Sequence, residues 1–186
     1  MAIRAARADT LRRYFLYFLF YSILGWCYEV FLEVVVYRWG YSDRGVLTGP
    51  YCPVYGIGAL VFLVLFYPLI RGQSVRRRLA MVPVVFLGCG LAATLIELIA
   101  SYLCEAVLGS WPWQTYVDYA INFQGRIALS PSIRFGLGGV LFLYVLQPLW
   151  EKLVEAMGSR RKWVFTVCAV VFAVDLVSFV VMTAIG

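Results

Sequence analysis

Residues 163–185 read WVFTVCAVVFAVDLVSFVVMTAI, 23 residues with a single charge, Asp175. About 20 mostly apolar residues cross a hydrocarbon core about 30 Å thick. The segment therefore reads as a membrane-spanning helix. Working back along the chain, four more stretches read the same way. They are Tyr14–Val36, Pro50–Leu69, Leu79–Leu108, and a segment that ends at Leu149 and begins between Asn122 and Pro131. The expected fold is all-α: a polytopic transmembrane helical bundle of about five spanning helices, forming a single transmembrane domain over residues 1–186.

Composition agrees. Of 186 residues, 63% are hydrophobic and 14% charged, against about half and a quarter in soluble domains. The chain contains no histidine, so no His-based triad and no imidazole metal site can form. It lacks the G-x-x-x-x-G-K-[ST] pattern of a phosphate-binding loop. No catalytic set, metal site or cofactor site is read from it. The five cysteines are scattered singly and read as small packing residues.

Charge sets the orientation, because cytoplasmic loops collect Lys and Arg. Arg4, Arg7, Arg12 and Arg13 precede the first span. Arg71, Arg76, Arg77 and Arg78 follow the second, and Lys152, Arg160, Arg161 and Lys162 follow the fourth. These make 12 of the 16 basic residues, so the N-terminus is expected inside and the C-terminus outside. The net charge of +6 is mostly this topology signal, and no nucleic-acid partner is expected. A basic start before an apolar run also fits a signal peptide. The run is too long, however, and no small-x-small site follows it, so retention is expected.

The residues that lipid would reject carry the most information. They are Glu29, Glu33, Glu97, Glu105, Arg126, Arg134 and Asp175. A charge at a span centre costs about 2.5–3.5 kcal/mol on insertion scales and usually faces the bundle interior. Glu29 lies 15 residues beyond Tyr14, about 22 Å along a helix. Glu97 is at a similar depth in the third span. Glu33 and Glu105 come later and are expected at the outer interface. Asp175 falls near the middle of the fifth span, where it can cap a neighbouring helix. Glu97, Ser101 and Glu105 are spaced by four and share one helix face.

Two readings stand for the approach to the fourth span. In one, Asn122 to Arg126 is a broken or re-entrant segment, and the helix starts at Ser130-Pro131 with Ser as N-cap and Pro at the first position. In the other, a single helix kinks at Pro131. Both aim Arg126 inward. The start of the second span, Thr48 to Gly56, is rich in Gly and Pro and reads as a bent, partly unwound segment. The expected site is an outward-facing polar pocket of Glu29, Glu97, Asn122, Arg126 and Ser101, walled by Tyr21, Trp26 and Tyr55.

These motifs resemble one membrane-protein family. Tyr21-Ser22, Gly25-Trp26 and Glu29 resemble its first motif. Arg44-Gly45, Gly49-Pro50, Cys52-Pro53 and Tyr55-Gly56 resemble its second. Glu97, Ser101 and Glu105 resemble its third, and Asn122, Gly125-Arg126-Ile127, Ser132 and Gly136 its fourth. The family is the CmpB-like ABC-transporter permeases (ABC-transporter type IV). The chain departs from the family at a Trp-Asp-Tyr triplet: Trp113 precedes Gln114, and Asp118-Tyr119 comes later. The resemblance implies a multi-pass protein of the cell membrane, embedded in the lipid bilayer. It also implies transport with a separate ATPase subunit, since this chain has no nucleotide site. A homo-oligomer stays open. The competing readings are a structural scaffold, with Gly88, Gly90, Gly136, Gly138 and Gly139 allowing close packing, and an intramembrane enzyme acting on a lipid-linked substrate. For the enzyme, Ser22 or Cys52 would be the nucleophile.

Overall fold

The computed structural model describes residues 2–42, 45 and 47–185. Asp43 and Arg44, at the start of the second motif, lie outside the described residues. Among the described residues, the regular structure is helical apart from one short hairpin. In order it contains α1 (Ala2–Phe31), α2 (Pro53–Leu65), α3 (Tyr67–Ile70), α4 (Val75–Ala80) and α5 (Val82–Leu108). These are followed by β1 (Asn122–Phe123), β2 (Ile127–Ala128), α6 (Leu129–Leu141), α7 (Gln147–Ala156) and α8 (Arg161–Ile185). Among the described residues, four helical stretches are long and apolar enough to cross a membrane: Ala6–Tyr37, Val82–Leu108, Leu129–Ala156 and Gly158–Ala184.

The second expected span differs in form. The 13-residue α2 stops at Leu65, and α3 resumes at Tyr67. Pro68 explains the break. It has no N–H to give the Val64 carbonyl, and its ring clashes with that carbonyl in a continuous helix. The two pieces together still rise by about 27 Å, close to a core thickness. Pro83, the second residue of α5, has the same effect on the Leu79 carbonyl. The expected third span is therefore split at Met81 into α4 and α5.

The fourth span runs seven residues past its expected end at Leu149, to Ala156. Pro148 does not break it, because the turn before it, Phe142–Leu146, widens to a π-helix. Pro148 leaves the Tyr144 carbonyl without an α-helical donor. The Arg78 guanidinium donates to that carbonyl at 3.4 Å, and the Tyr144 hydroxyl donates back to the Arg78 carbonyl at 2.6 Å.

The chain groups into two compact units. The first comprises residues up to Ile57 together with those from Trp150 onward. Its core is aromatic. Phe15 and Phe18 of α1 meet Phe172 of α8 edge-on, at centroid separations of 6.2 and 5.4 Å. Leu19, Leu47 and Tyr51 are buried against them. The chain leading into α2 lies directly on α1: the Cys52 N–H donates to the Ser22 carbonyl at 2.9 Å. Gly56 then sits where a Cβ would strike the Ser22 hydroxyl and the Phe18 carbonyl. The expectation that Asp175 caps a neighbour is met here. It accepts from the N–H groups of Thr48 and Gly49, at 3.2 and 2.8 Å, and from the Tyr51 hydroxyl at 2.5 Å. Its partner is the loop before α2 rather than the helix itself.

The second unit, Gly58–Leu149, is built on α5 against α6. In lipid no hydrophobic force joins helices, so close backbone approach and interhelical hydrogen bonds carry the packing. Gly90 faces the Ser132 carbonyl and Gly136, while Gly136 faces Phe86. The Thr94 hydroxyl lies 2.6 Å from that of Ser132. Of the small residues expected at a packing seam, Gly90, Gly136 and Gly139 lie on it. Gly88 faces the Phe66 ring, and Gly138 has open space beside it.

Candidate functional site: an arginine clamped under a hairpin

The hairpin forms at the far end of α5 from the arginine-rich turn. Phe123 pairs with Ile127 and Asn122 with Ala128. Within the three-residue loop, Gln124 (φ 55°) and Gly125 (φ 63°) both take left-handed backbone at the centre of a β-turn closed by the Arg126 N–H to the Phe123 carbonyl at 3.0 Å. Asn122 holds that turn. Its Oδ1 accepts from the Gly125 N–H at 3.0 Å, and its Nδ2 donates to the Tyr119 carbonyl at 2.8 Å. Non-helical backbone therefore does precede the fourth span, but it is an ordered hairpin. The helix starts at Leu129 with Ala128 as its cap, not at Ser130. Ser132 sends its hydroxyl to the Ala128 carbonyl at 2.9 Å instead.

The turn delivers Arg126, which is 7% exposed. Its guanidinium lies 4.1 Å from the ring centroid of Tyr102 and 4.1 Å from that of Trp111. A planar cation held by two ring faces is a strong cation–π arrangement, worth about 2 kcal/mol or more when desolvated. Nη2 donates to Glu105 at 2.5 Å and Nη1 to Ser101 at 3.4 Å. Among the described residues, Nε finds no acceptor. The hairpin is pinned from outside by two indoles. Trp111 donates to the Gly125 carbonyl at 3.2 Å and Trp113 to the Arg126 carbonyl at 2.8 Å. Trp113 thus has a defined role despite the departure from the family triplet.

The face Glu97–Ser101–Glu105 exists as read, with a different division of labour. Ser101 and Glu105 serve Arg126. Glu97, one turn deeper and buried, accepts from the Tyr116 hydroxyl at 2.7 Å. Glu105 was expected at the interface, and its side chain is 43% exposed while it binds Arg126. Arg134 donates to the Tyr119 hydroxyl at 2.8 Å. Sequence reasoning missed Tyr102, Trp111 and Tyr116. The available signal was the density of aromatics around the hairpin.

The remaining expected residues belong to the first unit. The Tyr55 hydroxyl donates to Glu29 in a very short contact. Tyr21 is buried, and Trp26 is half-buried. Gly25 lies under the Tyr55 ring and leaves no room for a side chain. Glu33 is buried, contrary to its expected exposure. It accepts from the Ser42 N–H at 3.1 Å and hydroxyl at 2.6 Å, closing the loop after α1. That loop follows a π-helical end, Leu32–Tyr37, stopped by Arg38 in left-handed backbone (φ 56°). Ser22 and Cys52, the nucleophiles of the enzyme reading, are both buried.

Long apolar helices, charged side chains held on their inner faces and a polar hairpin at one end define a polytopic membrane protein. The chain belongs to the family described as "Putative ABC-transporter type IV", whose profile matches residues 16–180. It is thus a membrane protein of transporter type. Neither a curated protein nor a solved structure matches it.

Proposed function

We propose that the protein is the membrane-embedded, permease-like subunit of a transporter in the cell membrane, driven by a separate ATPase. The Arg126 clamp is its contact with an anionic substrate on the outer side. The observation that carries this reading is the state of the guanidinium. Tyr102 and Trp111 fix its plane, so it is organised in advance for a planar carboxylate or a phosphate. Its only charged partner among the described residues, Glu105, is part-exposed and can exchange with an incoming anion.

The test is chemical crosslinking in native membranes, followed by purification of this chain and mass spectrometry. Recovery of a nucleotide-binding subunit at near-stoichiometric yield is the expected result. If repeated preparations bring down only unrelated proteins, the permease reading fails. One observation favours the scaffold reading instead: Arg126, Glu105, Ser101 and Trp111 largely satisfy one another. The two readings part on the response of Glu105→Gln to phosphate.

A further inference from the structure

A second cluster of charges lies in the first unit. Arg161 opens α8, and its side chain is only 13% exposed. Its Nη2 donates to Asp9 at 2.5 Å and its Nη1 to the Val154 carbonyl at 3.3 Å. The Nε hydrogen is buried with no acceptor among the described residues. Asp9 is shared, since its other oxygen takes the Arg13 Nε at 3.1 Å. Arg13 in turn reaches Glu155 at 3.2 Å.

Beside this network is a cleft of about 190 Å³, lined by Asp9, Arg12, Gly158, Ser159, Arg161 and Lys162. Three cations face one carboxylate there, and two arginines already hold that carboxylate. The cleft is polar and holds several waters or one phosphate group. Gly158, at φ +50°, turns the chain between α7 and α8, and Ser159 follows it on the cleft wall. Next in sequence to Arg12 and Lys162 are Leu11, 67% exposed, and Trp163, 69% exposed. Exposed apolar and indole groups at the base of a spanning helix sit at headgroup level in a bilayer. On the charge rule this end faces the cytoplasm, where the leaflet is anionic and basic pockets bind lipid headgroups.

We propose that this cleft binds the phosphate of an anionic phospholipid from the inner leaflet. Arg12 and Lys162 supply the exchangeable charge, Arg161 a fixed donor and Ser159 a hydroxyl. Leu11 and Trp163 meet the start of the acyl chains. Zwitterionic lipids carry the same phosphate but bring a cation into a cleft that is already positive, and they bind more weakly.

The experiment is native mass spectrometry of the full chain in detergent. The probes are dioleoyl phosphatidylglycerol, dioleoyl phosphatidylcholine and inorganic phosphate. Arg12 and Lys162 lie outside the Asp9–Arg161 network, so R12Q/K162Q is expected to fold; K162Q alone serves if it does not. The paired control is R76Q/K152Q, which removes two basic residues of the same membrane side that do not line the cleft. Phosphatidylglycerol affinity is expected to fall tenfold or more in R12Q/K162Q and less than twofold in the control. For K162Q alone a fall of at least threefold is expected. Equal losses in cleft and control variants, or no loss in the cleft variant, overturn the site. If inorganic phosphate binds with that variant dependence and phosphatidylglycerol does not, the lipid occupant is wrong.

Discussion

Arg126 and Glu105 are separated by only 2.5 Å, yet the pair does not decide its own purpose. The proposed function makes Glu105 a placeholder that an anion displaces. Then Glu105→Gln should bind inorganic phosphate several-fold more tightly, read as a larger phosphate-induced rise in melting temperature in detergent. Arg126→Gln should abolish that increment. Glu105→Gln should also lose about 1–3 kcal/mol of stability, because it leaves the buried Arg126 guanidinium without its anion. The scaffold reading expects that loss as well, but no phosphate effect in either variant. Arg126→Lys is a useful third variant. It keeps the charge but loses the flat face between Tyr102 and Trp111, so it should behave nearer to Gln than to Arg. Asp175 gives a separate test at this scale. Asparagine there keeps one acceptor and loses the charge that takes three donors, from Thr48, Gly49 and Tyr51. Unfolding of Asp175→Asn in detergent should show a loss of about 1–3 kcal/mol. A variant as stable as the parent would mean the α2 approach is held by other contacts.

Among the elements, α6 offers two glycines two residues apart with opposite surroundings. A Cβ at Gly136 would come within 2.8 Å of the Phe86 ring and carbonyl, whereas Gly138 has nothing within 4 Å. Gly136→Ala should therefore cost about 1–3 kcal/mol through overpacking at the α5–α6 seam. Gly138→Ala should be neutral or slightly stabilising, because alanine favours the helix. Equal melting temperatures for the two variants would count against the seam. The sequence carried part of this element structure and hid the rest, for physical reasons. Apolar length alone located the four long helices, because lipid allows few alternatives to a helix. Their ends were harder to read. Pro131 looked like a helix start, yet it is tolerated in the first turn of a helix beginning at Leu129. Leu149 looked like an end, yet a π turn and Arg78 accommodate Pro148 and the helix runs on. Of the clamp, Arg126, Ser101 and the carboxylate face were legible from charge and spacing. Its rings were not, because an aromatic near a membrane boundary has a sufficient reason to be there without touching an arginine.

For the whole molecule, the question left by the broken second span is parity. If Pro53 to Ile70 crosses, the chain has five passes and its ends lie on opposite sides. If it dips in and returns, the ends share a side. The basic residues argue for crossing. Arg71, Arg76, Arg77 and Arg78 follow that segment directly, and the 12 basic residues at the N-terminus and in the two basic connections fall on one side only if it crosses. A returning segment would put the Arg71–Arg78 and Lys152–Lys162 clusters together on the side opposite the four N-terminal arginines, splitting the twelve eight to four against the charge rule. It would also place the Arg126 hairpin, at the other end of α5, inside. Single cysteines introduced at Ser74, Ser110 and Ser159, in a variant lacking the native five, decide the matter with a membrane-impermeant maleimide on intact cells. Ser110→Cys alone should react before lysis, and Ser74→Cys and Ser159→Cys only after it. Labelling of Ser74→Cys on intact cells would put the arginine turn outside. In that case the hairpin faces the cytoplasm, and a site for an external substrate at Arg126 is excluded.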